Sequence, residues 1–443
     1  MSAGRFWIVA ALAAVAAAGC GANPAGTMPA GSGSVPEVAQ KGGGAHFVQF
    51  FPNTTSSAPY SYAGLIAGPA PSKNVWFQDT LGNGIVRMAQ NGSFTEYSVP
   101  GNESGAGPGM ALGSDGKFYF GSETGLTGQV DVVTASGAGT DYPDTIDTPS
   151  GGFVLGPDGN VWFTEYNHVA KITTSGVITH YAFPSSSAFA NPGDITVGAD
   201  GNIWFTLGYD QNHSYLGKVV PSTGVVTLYD LLALTGCSFD DALTSGGDGN
   251  IWVDCGTQIV RFDPTTSSAT AIDPPSSSYA GEISGDMKAG PGNTIWFGGG
   301  VDSGALVKYD IASNTFTPYT PPRNANYPRE VLIDGDGNVW FVAEWYQKPN
   351  TGTEMEIAVH VTNPLRVSPN TVTLSGAGVQ QTLTATETGT SSWSASSSKT
   401  SVATVAKGGS ANQFVVTGVS PGTAYVTVSD GIGNSVAVKV TVQ

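Results

Sequence analysis

Several charged side chains stand three or four positions after a repeated aromatic residue, and these side chains could catalyse a reaction or bind a ligand. Asp79 and Glu165 stand three positions after the aromatic residue, and Glu344 stands four positions after it. Carboxylates can act as general bases or bind a cation, and with an arginine and an aromatic ring they can bind a small polar ligand. The candidates for catalysis are Glu165, Glu344 and Arg329, and those for the rim of a ligand site are Asp79, Asp241, Glu330 and Trp345. Ordinary loop solvation in an acidic protein explains the same residues, so both interpretations stay open.

The aromatic residue belongs to a hairpin signature that must position these side chains. The signature is a six-residue motif, Asp-Gly-Asn-(Ile or Val)-Trp-Phe. It occurs at 158–163, 200–205 and 336–341, and looser copies bring the total to seven. Asp-Gly and Gly-Asn supply the positive φ angles of tight hairpin turns. The aromatic residues are 42–48 residues apart, a period typical of four-stranded β-propeller blades. The sequence therefore predicts seven blades with these residues packed between them: Trp76, Tyr119, Trp162, Trp204, Trp252, Trp296 and Trp340.

The last predicted blade lacks an outer strand, and residues 46–51 are predicted to supply it. After strand-like segments at 331–333, 339–343 and 356–361, the chain runs into Asn363-Pro364 without a fourth strand. Residues 46–51 precede the first blade, belong to no hairpin and match the outer-strand pattern at 178–184. Pairing of this segment with the last blade would remove an open edge and close the ring.

The pattern changes after residue 364 to short alternating strands without the hairpin signature. Seven such strands in some 80 residues are typical of an immunoglobulin-like sandwich. The segment resembles bacterial group 2 immunoglobulin-like domains in Trp393-Ser-Ala-Ser, Ser401-Val-Ala-Thr-Val, Gly418-Val and Pro421-Gly-Thr-Ala. That resemblance implies a spacer or adhesion module without chemistry of its own.

The first 20 residues have the pattern of an export signal. Arg5 precedes an apolar run, Phe6 to Ala18, that is too short to span a bilayer. The run ends in Ala-Ala-Gly-Cys, so Cys20 resembles the acylated cysteine of a bacterial lipoprotein; an ordinary secretory signal with a chance cysteine is the alternative. A tether rich in Gly, Ala and Pro follows at 21–45. We expect an exported protein held at the cell envelope by its lipid anchor, on the periplasmic or the extracellular face.

Two further cysteines, Cys237 and Cys255, lie in the fifth repeat. An exported chain meets an oxidising compartment, so a disulfide between them is one interpretation. Two unpaired buried thiols are the other. Neither cysteine has a histidine near it in the sequence, which argues against a catalytic or zinc-binding role.

Composition limits the partners of the chain. The formal net charge is −17 and only 12% of residues are charged. Such a surface repels phosphate, so nucleic acid is not expected as a partner. The 40% of hydrophobic residues exclude a disordered chain.

The propeller segment, residues 46–362, resembles the streptogramin (virginiamycin B) lyase family. The clearest match runs from Gly156 to Tyr181, with Asp-Gly-Asn-Val-Trp-Phe-Thr followed by Lys-Ile-Thr. The resemblance implies an elimination that cleaves a carbon–oxygen bond of a cyclic depsipeptide, with Mg²⁺, His and Glu at the mouth of the channel. Glu165 keeps the family's Thr-Glu position. The family's His is expected eleven residues before the aromatic residue, where this chain has Pro108, Gly151, Gly193, Asp241, Gly285 and Arg329.

These observations predict an all-β protein: a seven-bladed β-propeller closed by an N-terminal strand, plus a C-terminal immunoglobulin-like β-sandwich. The domains are a signal and lipobox at 1–20, a tether at 21–45, the propeller at 46–363 and the sandwich at 364–443. We expect a monomeric binding or interaction scaffold whose partner is a small molecule, a glycan or a surface protein, and no metal site or cofactor. One alternative is a Mg²⁺-dependent lyase of the streptogramin type, or a descendant with a changed substrate. Another is a polysaccharide binder that uses Tyr279 and Trp345.

Overall fold

The computed structural model describes most of the chain. The described residues are 37–38, 47–50, 62–70, 72, 74–79, 84–89, 93–98, 109–124, 127–184, 191–210, 213–237, 242–275, 283–299, 304–319, 321, 326–335, 337–346, 353–360, 366–386, 393–430 and 435–443. They form an all-β structure with one short helix.

Residues 37–360 form seven sheets among the described residues, numbered here in chain order. Sheet 1 has β3 (Tyr62–Ala67), β4 (Val75–Asp79), β5 (Gly84–Met88) and β6 (Phe94–Ser98), and sheet 2 has β7 (Met110–Leu112), β8 (Phe118–Thr124), β9 (Thr127–Val133) and β10 (Gly139–Asp144). Sheet 3 has β11 (Pro149–Leu155), β12 (Val161–Glu165), β13 (His168–Ile172) and β14 (Ile178–Ala182). Sheet 4 has β15 (Asn191–Val197), β16 (Ile203–Asp210), β17 (His213–Val219) and β18 (Val226–Asp230), which leads into the helix α1 (Leu231–Thr235).

The remaining three sheets of this region follow the same antiparallel order. Sheet 5 has β19 (Leu243–Ser245), β20 (Ile251–Asp254), β21 (Ile259–Asp263) and β22 (Ser268–Ile272). Sheet 6 has β23 (Ile283–Gly290), β24 (Thr294–Gly299), β25 (Ala305–Asp310) and β26 (Thr315–Tyr319). Sheet 7 joins β27 (Asn326–Ile333), β28 (Val339–Tyr346) and β29 (Thr353–His360) to two strands from the start of the chain, β2 (Phe47–Phe50) and β1 (Glu37–Val38).

The first strands of successive sheets contact one another, which produces a propeller-like ring. The contacts run from β3 through β7, β11, β15, β19 and β23 to β27, and β27 contacts β3 in turn. Strand β2 pairs antiparallel with β29, with Phe47 opposite His360 and Phe50 opposite Ile357. The segment predicted to complete the last sheet therefore does so over residues 47–50.

The repeated hairpin signature is a structural device. Asp158 Oδ1 accepts hydrogen bonds from the indole Nε1 of Trp162 at 2.9 Å and from the backbone N of Asn160 at 3.3 Å. The same aspartate–indole bond occurs at Trp204 and Trp252, each at 3.1 Å. Gly159 has the positive φ of 77° that the turn requires. In these three sheets the signature thus fixes its own turn and orients its own tryptophan.

The aromatic residues of the signature fill the space between neighbouring sheets, as the sequence predicts. All seven are at most 3% exposed. Trp162 of sheet 3 packs against Ile195 and Phe205 of sheet 4, whereas Phe163 packs against Val130 of sheet 2. Successive residues of a strand point to opposite faces, so one Trp-Phe pair contributes to two intersheet cores.

Residues 366–443 form two further four-stranded sheets. Their strands are β30 (Arg366–Ser368), β31 (Thr371–Leu374), β32 (Gln380–Thr386), β33 (Trp393–Ser397), β34 (Ala403–Lys407), β35 (Gln413–Gly418), β36 (Gly422–Asp430) and β37 (Ser435–Val442). One sheet has the order β30-β32-β35-β34 and the other β31-β37-β36-β33. A common core that includes Leu383, Phe414, Val426 and Val440 lies between them.

Candidate functional site

The inner strands carry charged residues at one recurring position. Strands β15, β23 and β27 each have a register shift relative to the next strand of their sheet, and Asp194, Asp286 and Glu330 lie within these shifts. Each of the three stands ten residues before the aromatic residue of its hairpin. Because the inner strands contact one another around the ring, the bulges direct these carboxylates toward a shared region.

Lys288 joins these carboxylates into a group that we call the inner-strand cluster: Asp194, Asp286, Lys288 and Glu330. Lys288 Nζ donates a hydrogen bond to Asp286 Oδ1 at 2.8 Å and lies 3.7 Å from Asp194 Oδ2. Glu330 Oε2 accepts a hydrogen bond from the backbone N of Gly64 in sheet 1 at 2.9 Å. The cluster thus connects sheets 4, 6, 7 and 1.

The inner-strand cluster carries excess negative charge in a half-buried setting, since the side chains of Asp194, Asp286 and Lys288 are 24%, 18% and 35% exposed. Burial raises the pKa of Asp286 to about 7, although Lys288 opposes the shift. Burial, followed by the charge of Asp286, raises the pKa of Glu330 to about 8. Burial lowers the pKa of Lys288, but Asp194 and Asp286 outweigh that effect and raise it. Among the described side chains, one amine faces three carboxylates, so the cluster suits an additional cation.

A second polar group, which we call the intersheet cluster, lies between sheets 2 and 3 and consists of Asp144, Glu165 and His180. Asp144 ends β10, Glu165 ends β12 and His180 lies on β14. His180 Nε2 is 3.0 Å from Asp144 Oδ2 and 3.2 Å from Glu165 Oε1. Glu165 faces sheet 2 because it is two residues after Phe163, which packs on that side.

Glu165 is an unusual carboxylate. Its side chain is fully buried, and neither oxygen accepts a hydrogen bond from a described donor. Burial, and then the negative charges of Asp144 and Asp147, raises the pKa of Glu165 to about 9. A second histidine lies next to the cluster: His168 Nδ1 is 3.6 Å from Asp147 Oδ2, and its ring is 5.8 Å from that of His180.

Two of the predicted site residues lie in different clusters. Glu165 belongs to the intersheet cluster and Glu330 to the inner-strand cluster. Asp79 ends β4 and is buried; Glu96 lies near it, and burial followed by the charge of Asp79 raises the pKa of Glu96.

For the other candidate site residues, the structure describes either the backbone alone or nothing. Arg329 is on β27, and Glu344 and Trp345 are on β28, where Glu344 pairs with Asn326. Asp241, Tyr279 and the lipidation candidate Cys20 lie outside the described residues.

Cys237 and Cys255 form a disulfide with a Cα–Cα distance of 5.5 Å. Cys237 follows the helix after sheet 4, and Cys255 follows β20 of sheet 5. Both pack in the core between these two sheets. The bond therefore ties neighbouring sheets together, away from both polar clusters.

Sequence reasoning missed five charged residues of the two clusters: Asp144, His180, Asp194, Asp286 and Lys288. Comparison of the repeats at ten residues before each aromatic residue, rather than eleven, would have found Asp194 and Asp286. Asp144 and His180 carry no such signal, because their partners are on another sheet. His180 lies on the outer strand β14, and its ring faces two buried carboxylates.

Fold and clusters together define a propeller-like protein with two polar clusters, one largely buried between sheets 2 and 3 and one half-buried on the inner strands. The profile of the virginiamycin B lyase family matches residues 109–363, more than half of the chain. The chain therefore belongs to the virginiamycin B lyase family. A search of curated proteins gave no match.

Solved structures share the fold. A streptogramin B lyase is 24% identical, with a TM-score of 0.56 over 71% of this chain and 97% of that one. A catalytically inactive virginiamycin B lyase from Staphylococcus aureus with quinupristin gives the same identity and TM-score over 71% and 99%. An extracellular domain from B. thetaiotaomicron is 11% identical, with a TM-score of 0.52 over 90% and 60%. Among the described residues, no helix is long and apolar enough to cross a membrane.

The Mg²⁺ that the family resemblance implies can be tested against this chain's own residues. A histidine has no room at Gly151, the family's His position in sheet 3, because a Cβ there would overlap the Thr164 hydroxyl and the Gly193 carbonyl. Asp144, Glu165 and His180 offer two carboxylates and an imidazole, a donor set that suits a divalent ion with affinity for nitrogen. It does not fit Mg²⁺, which prefers six oxygen ligands and keeps several waters, so these residues do not provide the Mg²⁺ site that the resemblance implies.

Proposed function

We propose that this chain is a binding module of the virginiamycin B lyase family, whose closed seven-bladed propeller binds a small organic cation at the inner-strand cluster. The chain is exported and held at the cell envelope by lipidated Cys20 and the tether at 21–45. The propeller spans 46–363, and an immunoglobulin-like sandwich at 364–443 acts as a spacer.

The observation that carries this proposal is the unbalanced charge of the inner-strand cluster. Among the residues whose side chains the structure describes, Asp194, Asp286 and Glu330 share a single amine, that of Lys288. A ligand with an ammonium or guanidinium group would donate charge-assisted hydrogen bonds to these carboxylates. Its positive charge would also favour the ionised forms of Asp286 and Glu330, whose pKa values burial raises.

A binding role fits the chain better than a lyase role because the family's base is missing. No histidine stands at the expected position in six hairpins, and an elimination needs a base within reach of its proton. Family membership and the retained Glu165 support the lyase as a second candidate. Incubation with Mg²⁺ and a type B streptogramin, followed by mass spectrometry, tests it; ring opening that Glu165→Gln abolishes would overturn the binding-only role.

The cation site is tested by calorimetry with spermidine and arginine as probes, and with neutral glycerol as the control ligand. We expect binding of at least one cationic probe at pH 8, and about tenfold weaker binding by Asp286→Asn or Glu330→Gln, because each removes a charge-assisted hydrogen bond. Lys288→Met should strengthen binding, because it removes the competing internal cation.

Lys308→Met is the matched control, since Lys308 lies on β25 of the same sheet and outside the cluster. It should leave the affinity for both probes unchanged. If neither spermidine nor arginine binds, the cation site is refuted. Equal weakening by the Lys308 and Asp286 variants would do the same.

A further inference from the structure

We propose that Asp144, Glu165 and His180 form a Zn²⁺ site that joins sheet 2 to sheet 3. This site is separate from the organic-cation site of the inner-strand cluster. It also differs from the Mg²⁺ chemistry implied by the family resemblance, because a histidine on the outer strand β14 supplies one of its ligands.

The geometry places three donor atoms around one point. One atom from each residue lies within 4.8 Å of the others, and His180 Nε2 is 3.0 and 3.2 Å from Asp144 Oδ2 and Glu165 Oε1. Donors bound tetrahedrally to Zn²⁺ at about 2.0–2.2 Å lie about 3.4 Å apart. Both distances from His180 Nε2 are within a few tenths of an ångström of this spacing.

Hydrogen bonding within the protein leaves Glu165 unsatisfied. The imidazole Nε2 carries at most one proton, and it makes its hydrogen bonds with Asp144. Both oxygens of the fully buried Glu165 lack a described hydrogen-bond donor. A buried carboxylate without donors is costly unless it is protonated or coordinates a metal ion.

Asp144 is held in position for this role by its own turn. Its Oδ1 accepts a hydrogen bond from the backbone N of Ile146 at 3.0 Å, while its Oδ2 faces His180. A divalent ion would balance the two carboxylates with a neutral imidazole. Because Asp144 comes from sheet 2 and the other two ligands from sheet 3, the ion would cross-link neighbouring sheets.

The donor set selects the metal. Mg²⁺ prefers six oxygen ligands and keeps several waters, which a buried three-residue site with an imidazole does not favour. Zn²⁺ takes imidazole nitrogen and carboxylate oxygen in a four-coordinate arrangement. Three protein ligands then leave one position for water.

The test is metal binding by the full chain, purified in detergent and stripped with EDTA. Calorimetry and elemental analysis should give one Zn²⁺ per chain, tighter binding of Zn²⁺ than of Mg²⁺, and a Tm rise of about 5 °C at a hundredfold excess over Kd. Replacement of Zn²⁺ by Co²⁺ should produce the visible absorption of a low-coordinate cobalt site. Failure to bind Zn²⁺, or equal affinity for Mg²⁺, would overturn the proposal.

The variants are Glu165→Gln and His180→Gln, each expected to weaken Zn²⁺ binding about a hundredfold or more. Glu165→Gln mimics the protonated carboxyl, so it should fold with an unchanged or raised Tm without metal and lose the Zn²⁺-induced rise. Asp131→Asn is the matched control: Asp131 is also fully buried in sheet 2, but it is outside the intersheet cluster. Unchanged Zn²⁺ affinity in Glu165→Gln, or equal loss in Asp131→Asn, would contradict the assignment.

Discussion

At the scale of single residues, each polar cluster contains at least one carboxyl group whose pKa burial raises: Glu165 in the intersheet cluster, and Asp286 and Glu330 in the inner-strand cluster. Glu165 has a pKa of about 9 because it is buried beside Asp144 and Asp147. Glu330 also adopts a positive φ of 52°, a conformation that costs free energy for a residue other than glycine. Such costs concentrate where a protein binds or reacts with something.

The raised pKa values of Asp286 and Glu330 predict that the protein loses stability as pH rises. These residues have ordinary pKa values near 4 when unfolded, but about 7 and 8 when folded. The native state therefore binds more protons between about pH 4 and 8, so the free energy of unfolding falls across this range. We expect Tm to be about 3–6 °C lower at pH 9 than at pH 5, as measured by calorimetry.

The double variant Asp286→Asn/Glu330→Gln should flatten this pH profile, because it removes both titrating groups. Asp131 and Glu165 shift in the same direction, so part of the slope should remain. A Tm that increases with pH in the wild-type protein would contradict the assignment.

At the scale of elements, the hairpin turn combines three roles in one aspartate. Asp158 bonds the Trp162 indole, the Asn160 backbone and the Lys171 ammonium at 2.9, 3.3 and 3.0 Å. It thereby links the β11–β12 turn to β13. The same aspartate–indole bond recurs in sheets 4 and 5, where Asp200 and Asp248 orient Trp204 and Trp252.

Asp158→Ala should therefore destabilise the protein by about 1–3 kcal/mol, because it leaves a buried indole N–H without its acceptor. Chemical denaturation measures the change. Asp263→Ala is the control, since Asp263 bonds Thr265 within the exposed β21–β22 turn and contacts no buried ring; its effect should be small. Equal losses in the two variants would refute the role given to the indole bond.

At the scale of the whole molecule, the start of the chain pairs with the end of the ring. Strand β2 lies beside β29, and β27 contacts β3. An unpaired β29 would present an open edge with unsatisfied backbone groups. The N-terminal strand is therefore expected to lock the ring.

Deletion of residues 47–50 should lower Tm by about 10 °C or more and promote association through the exposed edge of β29. Calorimetry and light scattering measure these two effects. Deletion of residues 21–24, within the predicted tether, is the length-matched control and should leave Tm unchanged. An unaltered Tm after removal of β2 would show that the lock is unimportant.

The sequence by itself determined the features that depend on local chemistry. Asp-Gly turns and the spacing of the tryptophans define the hairpins, their period and their wedge residues, because a turn and its strands are set by neighbours in the chain. The pairing of residues 47–50 with the last sheet could also be predicted. The last blade had no outer strand in the sequence, and residues 46–51 belonged to no hairpin.

Only the tertiary structure decided which charged residues meet. Glu165 was predicted from its position in the repeat, but its partners Asp144 and His180 approach it only when sheet 2 packs against sheet 3. Asp194 and Asp286 come together only because the inner strands contact one another around the ring. Distances across packed sheets depend on the closed arrangement of many strands, and no local pattern in the chain encodes them.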